Sequence, residues 1–296
     1  SAAAIDQEKA GLLRALGVPV LEGTRTGLRT VRHLLDHASR LPRSDDGPPV
    51  DHSRRRLWRS RLATAATGGS PLDPVSAFTL LEDYGLRVAM PQPAASAAEA
   101  VRTADRLGYP VTVKTGEPGV EHKTEVGGVF VGLSDGPSVA LAYADLAGRL
   151  GERVLVQPQA AAGIELAVGI VRDPLLGPLV LLAAGGTLIE LMSSRSVALP
   201  PVGHTLAGEM LDALAVSRLL AGVRGALPAD RAAVLDAVVA VSRIAVELGD
   251  VLAAVDLNPV IVTSTGAVVV DTLVLPGGPP PMPPTPDLRA TGTSQP

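Results

Sequence analysis

The chain contains no cysteine, which excludes disulfides, thiol nucleophiles and thiolate-ligated metals. Aromatic residues make up only 2% of its 296 positions: one Trp, three Tyr and two Phe. So few rings leave little for stacking on nucleic-acid bases. A basic surplus is also missing, since 26 Lys and Arg stand against 30 Asp and Glu, and no nucleic-acid partner is expected. No apolar stretch reaches the roughly 18–20 residues that span a membrane. The longest, Pro178 to Ala184, has the length of a core strand, and no membrane partner is expected. The opening SAAAIDQEK lacks the basic and apolar segments of a signal peptide, which together with the missing cysteine fits a cytoplasmic location. It also lacks an initiator Met, as a processed product or a piece of a longer chain would.

With 46% hydrophobic residues and almost no rings, the core must be built from Ala, Val and Leu. Such a core suits layered α/β packing, in which parallel strands read as near-continuous apolar runs. Residues 1–41 read as helix, short strand (Val18–Leu21) and helix, a βα unit without a sheet of its own. Residues 42–71 carry Pro, Gly, Ser and a basic cluster (Arg54, Arg55, Arg56, Arg59, Arg61) and read as a solvated linker. Strand and helix signals alternate over 72–275, with subdomains of about 72–157 and 158–275. Arg87–Met90, Thr187–Leu191, Val251–Asp256, Val260–Thr263 and Ala267–Val274 are among the strands expected, and one helix is expected over 205–220. The tail, 276–296, is Pro-rich and disordered in composition.

Several constellations carry chemistry. In Gly108-Tyr-Pro-Val-Thr-Val-Lys114 a buried strand ends in a lysine. Its ammonium either snorkels to the surface or meets a phosphate. His122 and the pair Gly127-Gly128 follow in a segment without helical period, and paired glycines let backbone N–H groups approach an anion. Asp256 and Asn258 alternate by two and share a sheet face, and a hairpin through Thr263–Gly266 brings Asp271 near them. These hard oxygens either suit Mg²⁺ or form an Asx turn and a strand-end carboxylate. Glu165 lies on an apolar strand, and Gly185-Gly186, four residues before Glu190, interrupts another.

In their order along 72–275, GYPVTVK, HKTEVGG, VLVQ, GIELAVGIVRDP, the Gly-Gly pair with Glu190, LLAGVRG and DLNPVIV with VVVD resemble the ATP-grasp domain of NDP-forming acyl-CoA synthetases, relatives of the succinyl-CoA synthetase β subunit. The resemblance implies an ATP-grasp fold of two α+β lobes with nucleotide between them. It assigns Lys114 to the ATP phosphates, Val156 and Gln157 to the hinge along the adenine, and Glu165 to the nucleotide pocket. It assigns Asn258 and Asp271 to Mg²⁺, and His122 to carrying a phosphoryl group on a loop that its glycine flank lets swing. A neutral imidazole is a competent acceptor near pH 7. The implied cofactors are ATP/ADP and Mg²⁺, with CoA reaching the enzyme through a partner portion. The implied partners are a CoA-ligase domain or subunit, a small carboxylic acid and CoA, within an oligomer. Residues 1–41 resemble the end of that CoA-ligase portion. Several positions depart from the family pattern: Pro158 follows Gln157 where a glutamate is usual, Ala198 replaces an Arg, Leu273 replaces a basic residue and, mildly, Thr124-Glu125 stands for Ser-Asp. They frame the alternative, a nucleotide-binding regulatory domain as in fused protein acetyltransferases.

Overall fold

The computed structural model of the protein describes residues 6–21, 23–40, 51–67, 69–120, 123–186, 195–222 and 227–277. The expected strand over Thr187–Leu191, the catalytic candidate His122 and nearly all of the Pro-rich tail lie outside the described residues.

Residues 1–49 group apart from the main body. They contain α1 (Gln7–Ala15) and α2 (Thr24–Arg40). Asp6 caps α1 by accepting from the Lys9 N–H. Gly17, at φ 75°, ends it, and the Val18 N–H returns to the Leu13 carbonyl at 2.9 Å. No strand forms over Val18–Leu21, so the expected βα unit is two helices. The four consecutive apolar residues Val18–Leu21 pair with no strand among the described residues.

The main body holds two sheets. The first, in order β1-β4-β2-β3, joins β1 (Gln92–Ala94), β4 (Val154–Pro158), β2 (Val111–Thr115) and β3 (Val129–Leu133). Helices α5 (Ala97–Leu107) and α6 (Gly136–Arg149) cover one of its faces. Alternation decides which side chains go there: Val111, Val113, Val154 and Val156 meet Ala100, Ala104, Val139 and Leu146 in one core. The residues between them, Thr112, Lys114, Leu155 and Gln157, take the opposite face.

The second sheet runs β10-β8-β5-β6-β7, with β9 also on β8. Its strands are β5 (Ile164–Asp173), β6 (Gly177–Ala184), β7 (Arg195–Ala198), β8 (Leu252–Thr263), β9 (Gly266–Val269) and β10 (Thr272–Pro276). The strand pairs with a defined register are antiparallel, so the apolar runs are buried antiparallel strands rather than parallel ones. The expected helix over 205–220 is two, α7 (His204–Asp212) and α8 (Ser217–Leu220), followed by α9 (Arg231–Leu248). Expected strands 251–256 and 260–263 are one strand, β8. It passes through Asn258-Pro259 where the register against β5 shifts between Leu166 and Val168, because a proline inside a sheet is tolerated at a bulge. Conversely, the strand expected over 267–274 breaks at Val270-Asp271 into β9 and β10. Arg87–Met90 contributes only a bridge, Val88 to Val269.

The linker reading is corrected. Residues His52–Thr67 form helix α3, and Trp58 and Leu62 are fully buried in the second lobe's core. So are Ala77, Leu80 and Leu81 of α4 (Pro74–Asp83), which moves α4 from the first lobe to the second. Three arginines of the basic cluster are spent on partners remote in sequence, while Arg56 and Arg61 meet Ser53 and Trp58 within the helix. Arg54 Nη2 meets buried Glu247 at 3.0 Å and its guanidinium lies 4.1 Å over the Tyr84 ring. Arg55 Nε donates to the Glu247 carbonyl, and Arg59 pairs with Asp250. Tyr84 donates to Glu247 Oε2 at 2.8 Å; burial, and then this carboxylate, push its phenol far above the ordinary range. Trp58 Nε1 donates to Asp83 at 2.8 Å. Trp58→Ala should therefore lower stability by about 3–5 kcal/mol in urea unfolding followed by circular dichroism. A tether residue would change it by no more than about 0.5 kcal/mol.

Candidate functional site

The face of the first sheet left open by α5 and α6 carries Lys114 and Gln157 toward the second lobe. Lys114 is 3% exposed. A buried ammonium needs a partner, because its desolvation costs several kcal/mol. It finds three: Asp271 Oδ1 at 2.9 Å, the Val270 carbonyl at 3.2 Å, and the face of Phe78 with the ring centroid 5.4 Å away. Gln157 Nε2 donates to the same Val270 carbonyl at 3.0 Å. That bond fixes which end of the amide is which, and leaves Gln157 Oε1 buried without a protein partner. Snorkelling is excluded for Lys114.

Asp271 receives a second cation. Lys123 Nζ lies 3.3 Å from its Oδ2. Burial raises the cost of charging Asp271, but Lys114 and Lys123 outweigh it and hold the carboxyl below its usual range. Lys114 responds the other way: burial depresses its ammonium despite Asp271. The two directions agree with exposure, since the Asp271 side chain keeps 33% of its surface and the Lys114 side chain 4%.

The irregular segments that hold Asp271 face each other. The bulge in β8 lies against the break between β9 and β10, where the Asn258 N–H donates to the Asp271 carbonyl and the Val270 N–H to the Pro259 carbonyl, each at 3.2 Å. Asn258 Oδ1 accepts from the Gly186 N–H at 3.2 Å. Gly186, at φ 55°, sits so close to Glu165 that a Cβ would overlap the Glu165 carboxylate. Asp256, two residues before Asn258, is open to solvent on one side. Partial burial, and then Asp271, raise its carboxyl above the ordinary range. One cleft thus brings together Lys114, Gln157, Asn258, Asp271 and, through Gly186, Glu165.

Val156 is fully buried in the first lobe's core and pairs with Gln92 and Val113 on its two sides, so only its backbone is left to lie along a nucleotide. One expectation is corrected here. The N–H groups of Gly127 and Gly128 close a turn, onto the Thr124 carbonyl at 3.1 Å and the Lys123 carbonyl at 2.6 Å, instead of pointing at a ligand. The glycine flank is held in place in this structure. Arg149 donates to the Val126 and Gly127 carbonyls, and a Cβ on Gly128 would stand 2.9 Å from the Lys123 carbonyl. Sequence reasoning gave no role to Lys123, Phe78 or Arg149. Only Lys123 had a signal, its place beside His122.

Among the described residues no three His, Cys, Asp or Glu side chains form a metal cage. The donors present still fit Mg²⁺, which binds through few protein oxygens: Asp271, Asn258, and an Asp256 carboxylate whose crowding by Asp271 a cation would relieve.

The ATP-grasp domain family matches residues 63–275. The ADP-forming acetate–CoA ligase I of Archaeoglobus fulgidus is 36% identical over 199 residues, 65% of this chain and 29% of that protein. The chain therefore spans under a third of that relative. The beta subunit of the ADP-forming acetate–CoA ligase I of Pyrococcus furiosus is 29% identical over 73% of this chain and 97% of its own length. A structure of the dinucleotide-forming acetyl-coenzyme A synthetase 1 of Candidatus Korarchaeum cryptofilum superposes with a TM-score of 0.66 at 34% identity, covering 76% of this chain and 100% of that one. It holds coenzyme A and Mg-AMPPCP, with a phosphohistidine segment pointing towards the nucleotide-binding site. The fold, the two-lobed cleft and these relatives agree: the chain belongs to the ATP-grasp family, in the form that serves ADP-forming acyl-CoA ligases.

Proposed function

We propose that this chain binds Mg-ATP or Mg-ADP between its lobes and passes a phosphoryl group through His122, supporting acyl-CoA formation from a carboxylic acid and CoA. One observation carries the reading: a buried lysine of one lobe is held against a carboxylate of the other, beside Asn258 and a second carboxylate. Such an ammonium is placed to turn from Asp271 to nucleotide phosphates. In this reading Gln157 and Glu165 line the nucleotide pocket, with Gln157 Oε1 as an acceptor awaiting a donor. Asn258 and Asp271, with Asp256 beside them, would hold Mg²⁺, which supplies charge neutralisation of the phosphates when bound. His122 lies one residue before Lys123, whose ammonium reaches Asp271. The acid and CoA would be handled by a CoA-ligase domain or subunit, within a cytoplasmic oligomer. No helix among the described residues is long and apolar enough to cross a membrane. The retained Lys114–Asp271 contact favours the ligase over the regulatory alternative framed by Pro158, Ala198 and Leu273.

Three outcomes test this. Lys114→Met should weaken Mg-ADP binding in calorimetry by about 10- to 100-fold, the size of a lost charged hydrogen bond. Incubation with γ-labelled ATP and Mg²⁺ should leave an acid-labile, alkali-stable label on the wild type and none on His122→Ala; equal labelling of the two sinks the relay. Asp256→Asn should raise the ligand-free melting temperature at pH 7. Because the folded-state carboxyl is raised, its ionised form works against the fold, so the gain should vanish as pH falls below the ordinary carboxylate range.

A further inference from the structure

Phe78 is buried on a different side of α4 from its apolar neighbours. Ala77, Leu80 and Leu81 form one stripe of the helix and enter the second lobe's core. Phe78 lies about 100° round the helix from Ala77 and, among the described residues, joins neither lobe's core. It is nonetheless fully buried. The Lys114 ammonium stands over its ring, 5.4 Å from the centroid. The chain has one other Phe, Phe130, which packs on the first lobe's core instead. Phe78 is thus placed against a cation of the opposite lobe.

The three partners of Lys114 differ in what else can claim them. Asp271 accepts from the ammonium at 2.9 Å, but it is also the carboxylate that the reading above gives to Mg²⁺. The Val270 carbonyl is shared with Gln157. The Phe78 ring has no lone pair to offer a metal. Its π face attracts a cation through the ring quadrupole, and the attraction grows as water is excluded. An ammonium that faces a carboxylate is already largely neutralised. Once Asp271 turns to a metal, the ring remains where it was and counts for more.

We propose that Phe78 is a positioning residue for phosphate binding: its ring face holds the Lys114 ammonium in the cleft while Asp271 is exchanged for nucleotide phosphates, a role that rests on the nucleotide reading above. Phe78 touches no phosphate in this role and acts through Lys114. What matters is the electron density of its face, more than its volume. A leucine would fill much of the same space and leave the ammonium unsupported on that side.

The test varies that density at nearly constant shape. Mono-, di- and trifluorophenylalanine are placed at position 78 of the full chain by nonsense suppression, each fluorine draining the π face further. The Mg-ADP dissociation constant in calorimetry should rise in steps, to about 2- to 30-fold with the trifluoro ring, the size of a cation–π contact. The same series in Lys114→Met should be flat, because no ammonium is left to respond. Fluorination of Phe130 should leave the affinity within about twofold. A flat series in the wild-type background overturns the inference, since a ring that only fills space does not register its charge distribution. A slope that persists in Lys114→Met overturns it as well, because the ring then acts on the nucleotide directly. A wild type that binds no Mg-ADP is a different failure, that of the nucleotide reading itself.

Discussion

Two ammonium groups of the first lobe share the carboxylate of Asp271, and the cleft is organised by that sharing. Lys114 could not be buried at the end of an apolar strand without it. Asp271 in turn could not stand where it does if the second sheet were regular. The bulge at Asn258-Pro259 and the break at Val270-Asp271 lie side by side, and the break leaves the Val270 carbonyl out of the strand ladder. Val270 gives its carbonyl to Lys114 and Gln157 together, so one irregular dipeptide receives both polar residues of the first lobe. Among the described residues no ammonium pairs with Asp256, and its carboxyl is raised by partial burial and then by Asp271.

The parts legible in the sequence were those where a residue contradicted its surroundings. Lys114 at the end of Val-Thr-Val, and Asn258 and Asp271 among valines, are costly where they stand unless they meet each other or a ligand. The parts that were not legible depend on where a group's partner comes from. The arginines of α3 looked like a solvated tether because Glu247 lies 193 residues from Arg54, and nothing local announces the pairing. Gly127 and Gly128 looked like an anion cradle because their N–H groups had no visible destination; the destination is the turn's own carbonyls.

The lobe boundary also follows from packing rather than from chain order. The first lobe's core is small, built by two helices on four strands, and starts at Ala94. The second lobe's core takes in α3 and α4, which precede both sheets in the sequence, and α9, which lies between β7 and β8. The opening helices of the main body therefore belong to the second lobe, and the first lobe is inserted after them.

Burial of Trp58 has a spectroscopic consequence. It is the sole indole of the chain, and it reports on α3, Asp83 and the second lobe's core. Intrinsic fluorescence excited in the indole band will follow the melting of that core.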